Sequence, residues 1–472
     1  MKSKKTIITL LTGLLVSCTF LAQNRPNIVL LIADDLGYGE LGCQGNAQIP
    51  TPNIDGIASN GVRFEAGYVS APNCSPSRAG ILTGKFQTRF GYENNPIGHK
   101  NEYPNYGLPT SQKTIANVLH NSGYATGLIG KWHLGGVADF HPERRGFDEF
   151  FGFMHEGHSF AYPAWKDVIS MYRRKALPDG TKGRWTDRDV TYHTAVGGDE
   201  PPYDADNPIM RSSQPVEEES YLTDAFTREA LSFIERKKNQ PFFLEVAFNA
   251  VHSPLQAKKE IMEELSTIED IQRRIFAGML VSMDRGIGKI IQKLKDSGLY
   301  DNTIIIFISD NGGPTKELTS SNLPLRGGKG QMYEGGIRVP FMMQWNGKIP
   351  AGTVYDKPVI SLDILPTVAT IAGAAFSQDI DGVNLMPFIN GKESGEPHEY
   401  LYWRQKGNTA LRMGKWKIVN HKLNSSNPEW ELFNLENDLS ETNNLKQEYL
   451  QEFNSLYHKW NELNGQMMKP LF

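Results

Sequence analysis

Four short apolar runs, each bounded by polar residues and each too short for a buried helix, constrain the fold of this chain more than any other feature. They occupy residues 27–33 (NIVLLIA), 126–129, 242–248 and 303–309. None has a 3.6-residue period, as expected of strands covered on both faces of a parallel sheet. Amphipathic stretches at 111–122, 222–236 and 275–295 lie between them and predict helices. Strand, helix and strand in repetition mean an α/β fold. No period of 20–50 residues recurs, which excludes a solenoid.

The 472 residues are 39 % hydrophobic, 22 % charged and 10 % aromatic, a balance that excludes a disordered, collagen-like or multi-span membrane chain. Lys and Arg number 49 against 53 Asp and Glu, and the net charge of −4 supplies no long-range field for nucleic acid or an anionic membrane. Any anion must be recognised locally. The first five residues carry three lysines and are followed by an apolar run, 6–16, too short to span a bilayer and placed like an export signal. Two processing sites compete. Leu15-Val16-Ser17-Cys18 resembles a bacterial lipoprotein box that would put a lipid on Cys18, whereas Ala22 before Gln23 fits ordinary cleavage. Plain secretion is favoured because 19–22 prolongs the apolar stretch, and the expected location is the periplasm or exterior of a Gram-negative cell. The chain has three cysteines, so a disulfide framework is excluded; a Cys43–Cys74 bridge is the one pairing open after ordinary cleavage, and two buried thiols are the alternative.

With residues 1–22 removed, about 450 residues remain, enough for two or three domains of ~150. Residues 155–220 turn polar and are punctuated by Pro and Gly, which predicts loop or lid material. After a helix-like stretch at 363–373 the composition changes near 391–396. The expected organisation is a catalytic unit over 23–394 and a small C-terminal unit over 395–472. The latter has strands near 399–404, 410–419 and 430–435 and a final helix in which Leu445, Tyr449, Phe453, Leu456, Trp460 and Leu463 form one apolar face.

In open parallel sheets, ligands gather beyond the carboxyl ends of the strands. The four runs lead respectively into Asp34-Asp35, into Lys131-Trp132-His133, into Asn249 and then His252, and into Asp310-Asn311. Each end alone is better explained by a helix cap or a structural histidine; their coincidence points to a site. Asp34, Asp35, Asp310 and Asn311 supply only oxygen, which favours calcium at roughly 2.3–2.6 Å, or magnesium at shorter range, over zinc. Lys131, His133, His252 and Lys329 add positive charge suited to a small oxyanion. The Gly-rich stretch around Lys329 is not a nucleotide P-loop, because no Ser or Thr follows the lysine.

The sharpest local signal is Cys74-Ser75-Pro76-Ser77-Arg78, continuing to Leu82-Thr83-Gly84. It matches the signature C-x-P-S-R-x-x-x-L-T-G, and over nearly its whole mature length the chain resembles the type I formylglycine-dependent sulfatases. Supporting stretches are PNIVLLIADDLGYG (26–39), GKWHLG (130–135), RGFD (145–148) and ISDNG (308–312). The resemblance implies an alkaline-phosphatase-like fold: a mixed, mostly parallel sheet sandwiched by helices, followed by a smaller α+β unit with an antiparallel sheet and a terminal helix. It also implies that a maturing enzyme oxidises Cys74 to formylglycine. A hydroxyl of the hydrate then attacks sulfur, and a proton lost from the second hydroxyl expels sulfate. A bare thiolate would instead be trapped as a stable adduct. By the same resemblance Asp34, Asp35, Asp310 and Asn311, with modified Cys74, are the ligands of one calcium ion. Arg78 and Lys131 orient the hydrate, His133 takes its second proton, and His252 and Lys329 hold the sulfate while one of them protonates the leaving oxygen.

The exported bacterial members of that family imply a sulfated mono-, oligo- or polysaccharide as substrate, and an exo-acting enzyme. Aromatic and basic residues between 157 and 221, among them Tyr162, Trp165, Tyr172, Arg173 and Trp185, suit a sugar at a pocket mouth or equally a solvated surface with buried anchors. His158 and Arg326 are the candidate substrate contacts. Two other readings stay open at this point: a phosphate-ester or phosphonate hydrolase of the same superfamily, and a sulfated-glycan-binding protein whose Cys74 stays unmodified.

Overall fold

A computed structural model describes residues 25–161, 167–426 and 428–472. The export segment, Cys18, Tyr162 and Trp165 lie outside the described residues. The four apolar runs are adjacent, parallel strands in the order Ala125–Lys131, Phe242–Ala247, Asn27–Ala33, Thr303–Ser309, and every residue in them is buried. Glu149–Phe153 extends the sheet in parallel on one side, while Phe341–Gln344 and Val62–Phe64 continue it antiparallel on the other. The sheet is therefore mixed and mostly parallel in its centre.

Successive side chains of the first strand enter opposite cores, as period-two geometry requires. Val29 and Leu31 join the layer under helices Leu222–Lys237 and Ile271–Asp296, whereas Ile28, Leu30 and Ile32 join that under Cys74–Thr83, Ile115–Asn121 and Ile364–Ala372. Each fully buried Leu or Ile contributes about 1.5–3 kcal/mol, so the sheet centre is the most strongly determined part of the molecule.

Two expectations are corrected. The 155–220 stretch is more than loop: Val168–Arg173, Arg184–Asp187 and Val190–His193 form strands that pair with Leu255–Lys258 in a four-stranded sheet. Its strands carry little apolar periodicity because they are held by stacking, Trp185 on Tyr192 at 5.7 Å and 14°. The 410–419 run is a hairpin of two strands, Asn408–Met413 and Trp416–Asn420, turned at Gly414 with φ 51°. With Leu401–Gln405 and Trp430–Asn434 they make the expected antiparallel sheet. The terminal helix spans Leu450–Gln466 and buries Phe453, Leu456, Trp460 and Leu463; Leu445 and Tyr449 precede it. This C-terminal core also includes Tyr68, Ile337 and Leu362 from the larger layer. No helix of the described residues is long and apolar enough to cross a membrane. Cys43 and Cys74 are both free thiols, the first half-buried and the second buried, so the bridge does not form.

Candidate active site

Cys74 opens the helix Cys74–Thr83, with Pro76 in its first turn, where a missing amide costs no hydrogen bond, and Gly84 closing it at φ 65°. The helix is buried over its full length and must be narrow: a Cβ on Gly80 would lie 2.1 Å from the Ser70 hydroxyl. Arg78 follows Cys74 by four residues, one helical turn, so both side chains address the same end of the sheet. There the Cys74 Sγ lies 3.5 Å from Asp34 Oδ1 and 3.8 Å from Asp35 Oδ1. Asp34, Asp35, Cys74 and Asp310 bring ligand atoms within 4.8 Å of one another, all buried.

The cations interlock with this cluster. Arg78 donates Nε to Asp310 at 2.9 Å, sets Nη2 2.8 Å from the same carboxylate oxygen, and donates Nη1 to the Lys131 carbonyl at 3.1 Å. Lys131 Nζ reaches Asp34 at 2.6 Å and Lys329 Nζ reaches Asp35 at 2.8 Å. Burial would raise the Asp35 pKa, but Lys329, His252 and Lys131 together hold it below the usual carboxylate range. Asp310 goes the other way, to about 6, through burial and the neighbouring Asp34. Burial likewise keeps the Cys74 thiol well above its ordinary value.

The two histidines are each fixed by a carbonyl, which can only accept, so the bonded nitrogen carries the proton. His133 bonds Pro96 O through Nε2 at 2.9 Å, leaving Nδ1 buried and without a partner. Burial and Lys131 hold its ring neutral. His252 bonds Ser253 O through Nδ1 at 2.7 Å and directs Nε2 toward Asp35, 3.7 Å away. Burial and Lys329 lower its pKa to about 4. Asp35 and His133 adopt φ of 64° and 57°, left-handed conformations that cost non-glycine residues about 1–3 kcal/mol and turn both side chains off the strand ends.

Asn311 donates Nδ2 to Asp35 and to Gly312 O, while its Oδ1 is buried with no partner. A bare amide oxygen beside three crowded carboxylates is a donor set that fits a hard divalent cation and would relieve the repulsion recorded at Asp310.

Of the sequence candidates, Asp34, Asp35, Cys74, Arg78, Lys131, His133, His252, Asp310, Asn311 and Lys329 converge here. His158 lies nearby but is buried, its ring 5.4 Å from Phe153 and its Nδ1 3.3 Å from Asp204; Asn249 donates to its carbonyl at 3.4 Å. Arg326 is turned away: its guanidinium covers Tyr333 at 3.8 Å, donates to Glu441 O at 2.6 Å and lies 3.8 Å from Glu431. Sequence reasoning missed a network behind His252, in which Ser253 donates to Glu317 at 3.0 Å, Tyr203 meets Ser253 at 3.0 Å, and Arg173 pairs with Glu317 at 2.7 Å and Glu200 at 2.9 Å. These residues come from three distant segments, and no local spacing relates them.

A mostly parallel sheet with an oxygen-donor cluster and a ring of cations at its carboxyl edge defines a hydrolase of the alkaline-phosphatase-like class, built for a small oxyanion ester. Comparison with known proteins narrows this. The sulfatase family model matches residues 26–374, and the C-terminal model of N-sulphoglucosamine sulphohydrolase matches 328–466. Human arylsulfatase H is 35 % identical over 449 residues, covering 80 % of this chain and 75 % of that one. Human N-acetylgalactosamine-6-sulfatase is 33 % identical over 407 residues, covering 84 % and 72 %. The crystal structure of Ps i-CgsB in complex with k-i-k-neocarrahexaose superposes with a TM-score of 0.81 at 36 % identity, covering 94 % of each chain. The chain belongs to the sulfatase family, and its reaction is the hydrolysis of sulfate esters.

Proposed function

We propose that this sulfatase removes sulfate from a sulfated carbohydrate, acting at chain ends, with Cys74 oxidised to formylglycine by a maturing enzyme. One calcium ion held by Asp34, Asp35, Asp310, Asn311 and the modified residue belongs to the same reading. The observation that carries it is the position of Cys74, at a helix N-terminus within 3.8 Å of two carboxylates and surrounded by Arg78, Lys131 and Lys329. The aldehyde hydrate would supply a nucleophilic oxygen, and the cation would acidify it and neutralise sulfate charge.

This chain's own residues do the rest. Arg78 and Lys131 hold the nucleophile's surroundings positive. His133, neutral and with Nδ1 bare, would accept the second proton of the hydrate. Lys329, whose proton Asp35 retains against the cost of burial, is the group that protonates the leaving sugar oxygen, while His252 would help hold the sulfate by donating from Nε2 once that nitrogen is protonated. Sugar recognition is supported by the carbohydrate named in two similar proteins, N-acetylgalactosamine sulfate and neocarrahexaose. Exo action is supported by depth: Cys74 is 1 % exposed, so only a protruding group reaches it. His158 is retained as a substrate contact, and Arg326 as one reached only if its Glu441 bond opens. We place the catalytic unit at 23–394 and the C-terminal unit at 395–472, in an exported, periplasmic or secreted protein.

Mass measurement of the tryptic peptide 64–78, from a host that matures other sulfatases, tests the modification. A formylglycine mass is expected; unmodified cysteine would move the function to binding. Incubation with sulfated oligosaccharides tests the mode, and release of internal and terminal sulfates at equal rates overturns exo action while leaving hydrolysis standing.

A further inference from the structure

Beside Lys329 the surface opens into a groove of about 740 Å³ between the segments 314–323 and 325–331, with Val196 of the inserted sheet region on its rim. Two of its lining residues also belong to the surroundings of the site. Lys329 reaches Asp35, and Glu317 reaches Ser253, next to His252. A leaving oxygen placed between Lys329 and His252 therefore puts the sugar that bears it at the groove mouth.

The lining is unusual for an idle surface. Leu323 is 73 % exposed on one wall. Lys316 is exposed on another and has no carboxylate at ion-pair distance among the described residues. The groove's carboxylate, Glu317, is engaged by Arg173 at 2.7 Å and by Ser253 at 3.0 Å, which leaves Lys316 as the charged side chain of the groove open to a ligand. Gln331 adds an exposed amide. An apolar platform, a free ammonium and an amide at the exit of an oxyanion site match a pyranose ring with an anionic substituent: the C–H face covers leucine while hydroxyls and sulfate meet the polar groups.

We infer that this groove is a second subsite, taking the sugar that neighbours the one being desulfated and preferring it sulfated, with Leu323 beneath the ring and Lys316 on its anionic group. The inference rests on the carbohydrate reading above. It makes the enzyme prefer an oligosaccharide carrying more than one sulfate over a sulfated monosaccharide.

The test compares kcat/KM of wild type, Leu323→Ala and Lys316→Glu on three probes: an aryl sulfate, N-acetylgalactosamine 6-sulfate and neocarrahexaose, with further sulfated mono- and hexasaccharide pairs if those two are not substrates. Both side chains are exposed, so folding is not at stake. The ratio of hexasaccharide to monosaccharide kcat/KM is expected to fall about tenfold in each variant, chiefly through KM, the worth of one charge-assisted contact. The Lys316→Glu loss is expected to shrink at high salt. Ratios within twofold of wild type in both variants overturn the subsite alone. A wild type that cleaves the aryl sulfate and no sugar overturns the carbohydrate reading and the subsite with it.

Discussion

In the proposed reaction single residues at the sheet edge carry most of the chemistry, and several can be tested one at a time. Lys329→Ala is expected to lower sulfate-ester turnover by ~10²–10³, the usual cost of one donor to a developing oxyanion, with an unchanged circular dichroism spectrum. Near-normal turnover would remove Lys329 from the reaction. Chelation followed by calcium addition checks the oxygen cluster: at a hundredfold excess over Kd a bound ion contributes about 2.7 kcal/mol, seen as a rise in Tm of the matured protein. An unchanged Tm counts against the ion. Glu245 is a different case. It is buried in the central strand Phe242–Ala247 with Oε2 unpartnered, and burial pushes its pKa to about 8, with Arg78 only partly opposing. The folded state thus binds the proton more tightly than an unfolded carboxyl near ~4.3, and stability falls as pH rises through that window to about 8. Glu245→Gln is expected to raise Tm at pH 8 and to converge with wild type only below about pH 4, under the unfolded carboxyl's own pKa. A constant Tm difference across that range would show that Glu245 does not titrate there.

Among elements, the strands and helices of the centre were legible because one physical rule dominates them. Runs such as 27–33, apolar at every position after Asn27, can be satisfied only by burial on both faces, and the amphipathic stretch at 275–295 only by one apolar side. The inserted sheet was not legible. Its Arg184–Asp187 strand is exposed along its length and is fixed by cross-strand partners in residues 190–193, far from any periodic signal. The network it delivers matters to the site, since Arg173 and Tyr203 brace Ser253 and through it the backbone that fixes His252 Nδ1. Arg173 is a positioning residue. Arg173→Ala is expected to lower kcat about tenfold, as loss of a bracing partner does, and to shift the acidic limb of the kcat profile, with Arg173→Lys restoring part of both. A change in Tm without a change in the pH profile would assign Arg173 to structure alone.

At the scale of the whole molecule, the boundary expected at 394 divides the sequence more cleanly than it divides the core. Trp403 donates to Val69 O at 2.7 Å, and Lys417 is buried between Glu334 and Glu441 at 2.8 and 2.9 Å. A chain ending at 394 would bare Tyr68, Ile337 and Leu362, all fully buried. Such a truncation is expected to be insoluble; a soluble, monodisperse product would contradict the shared core. In the intact protein Lys417→Met strands two buried carboxylates and is expected to cost about 3–5 kcal/mol, read from denaturant unfolding.

By itself the sequence determined the α/β class, the central strands, the family resemblance and the residues that gather at the strand ends. Each of these follows from local pattern: apolar runs, amphipathic period, or a signature whose spacing is one helical turn. The tertiary structure alone decided that Arg326 faces Tyr333 and the C-terminal unit, that Glu317 and Tyr203 stand behind His252, and that Leu323 and Lys316 share a groove with Lys329. Those relations join segments tens to hundreds of residues apart, and the direction of a polar side chain among competing partners is set by which of them the packed core brings within hydrogen-bond reach.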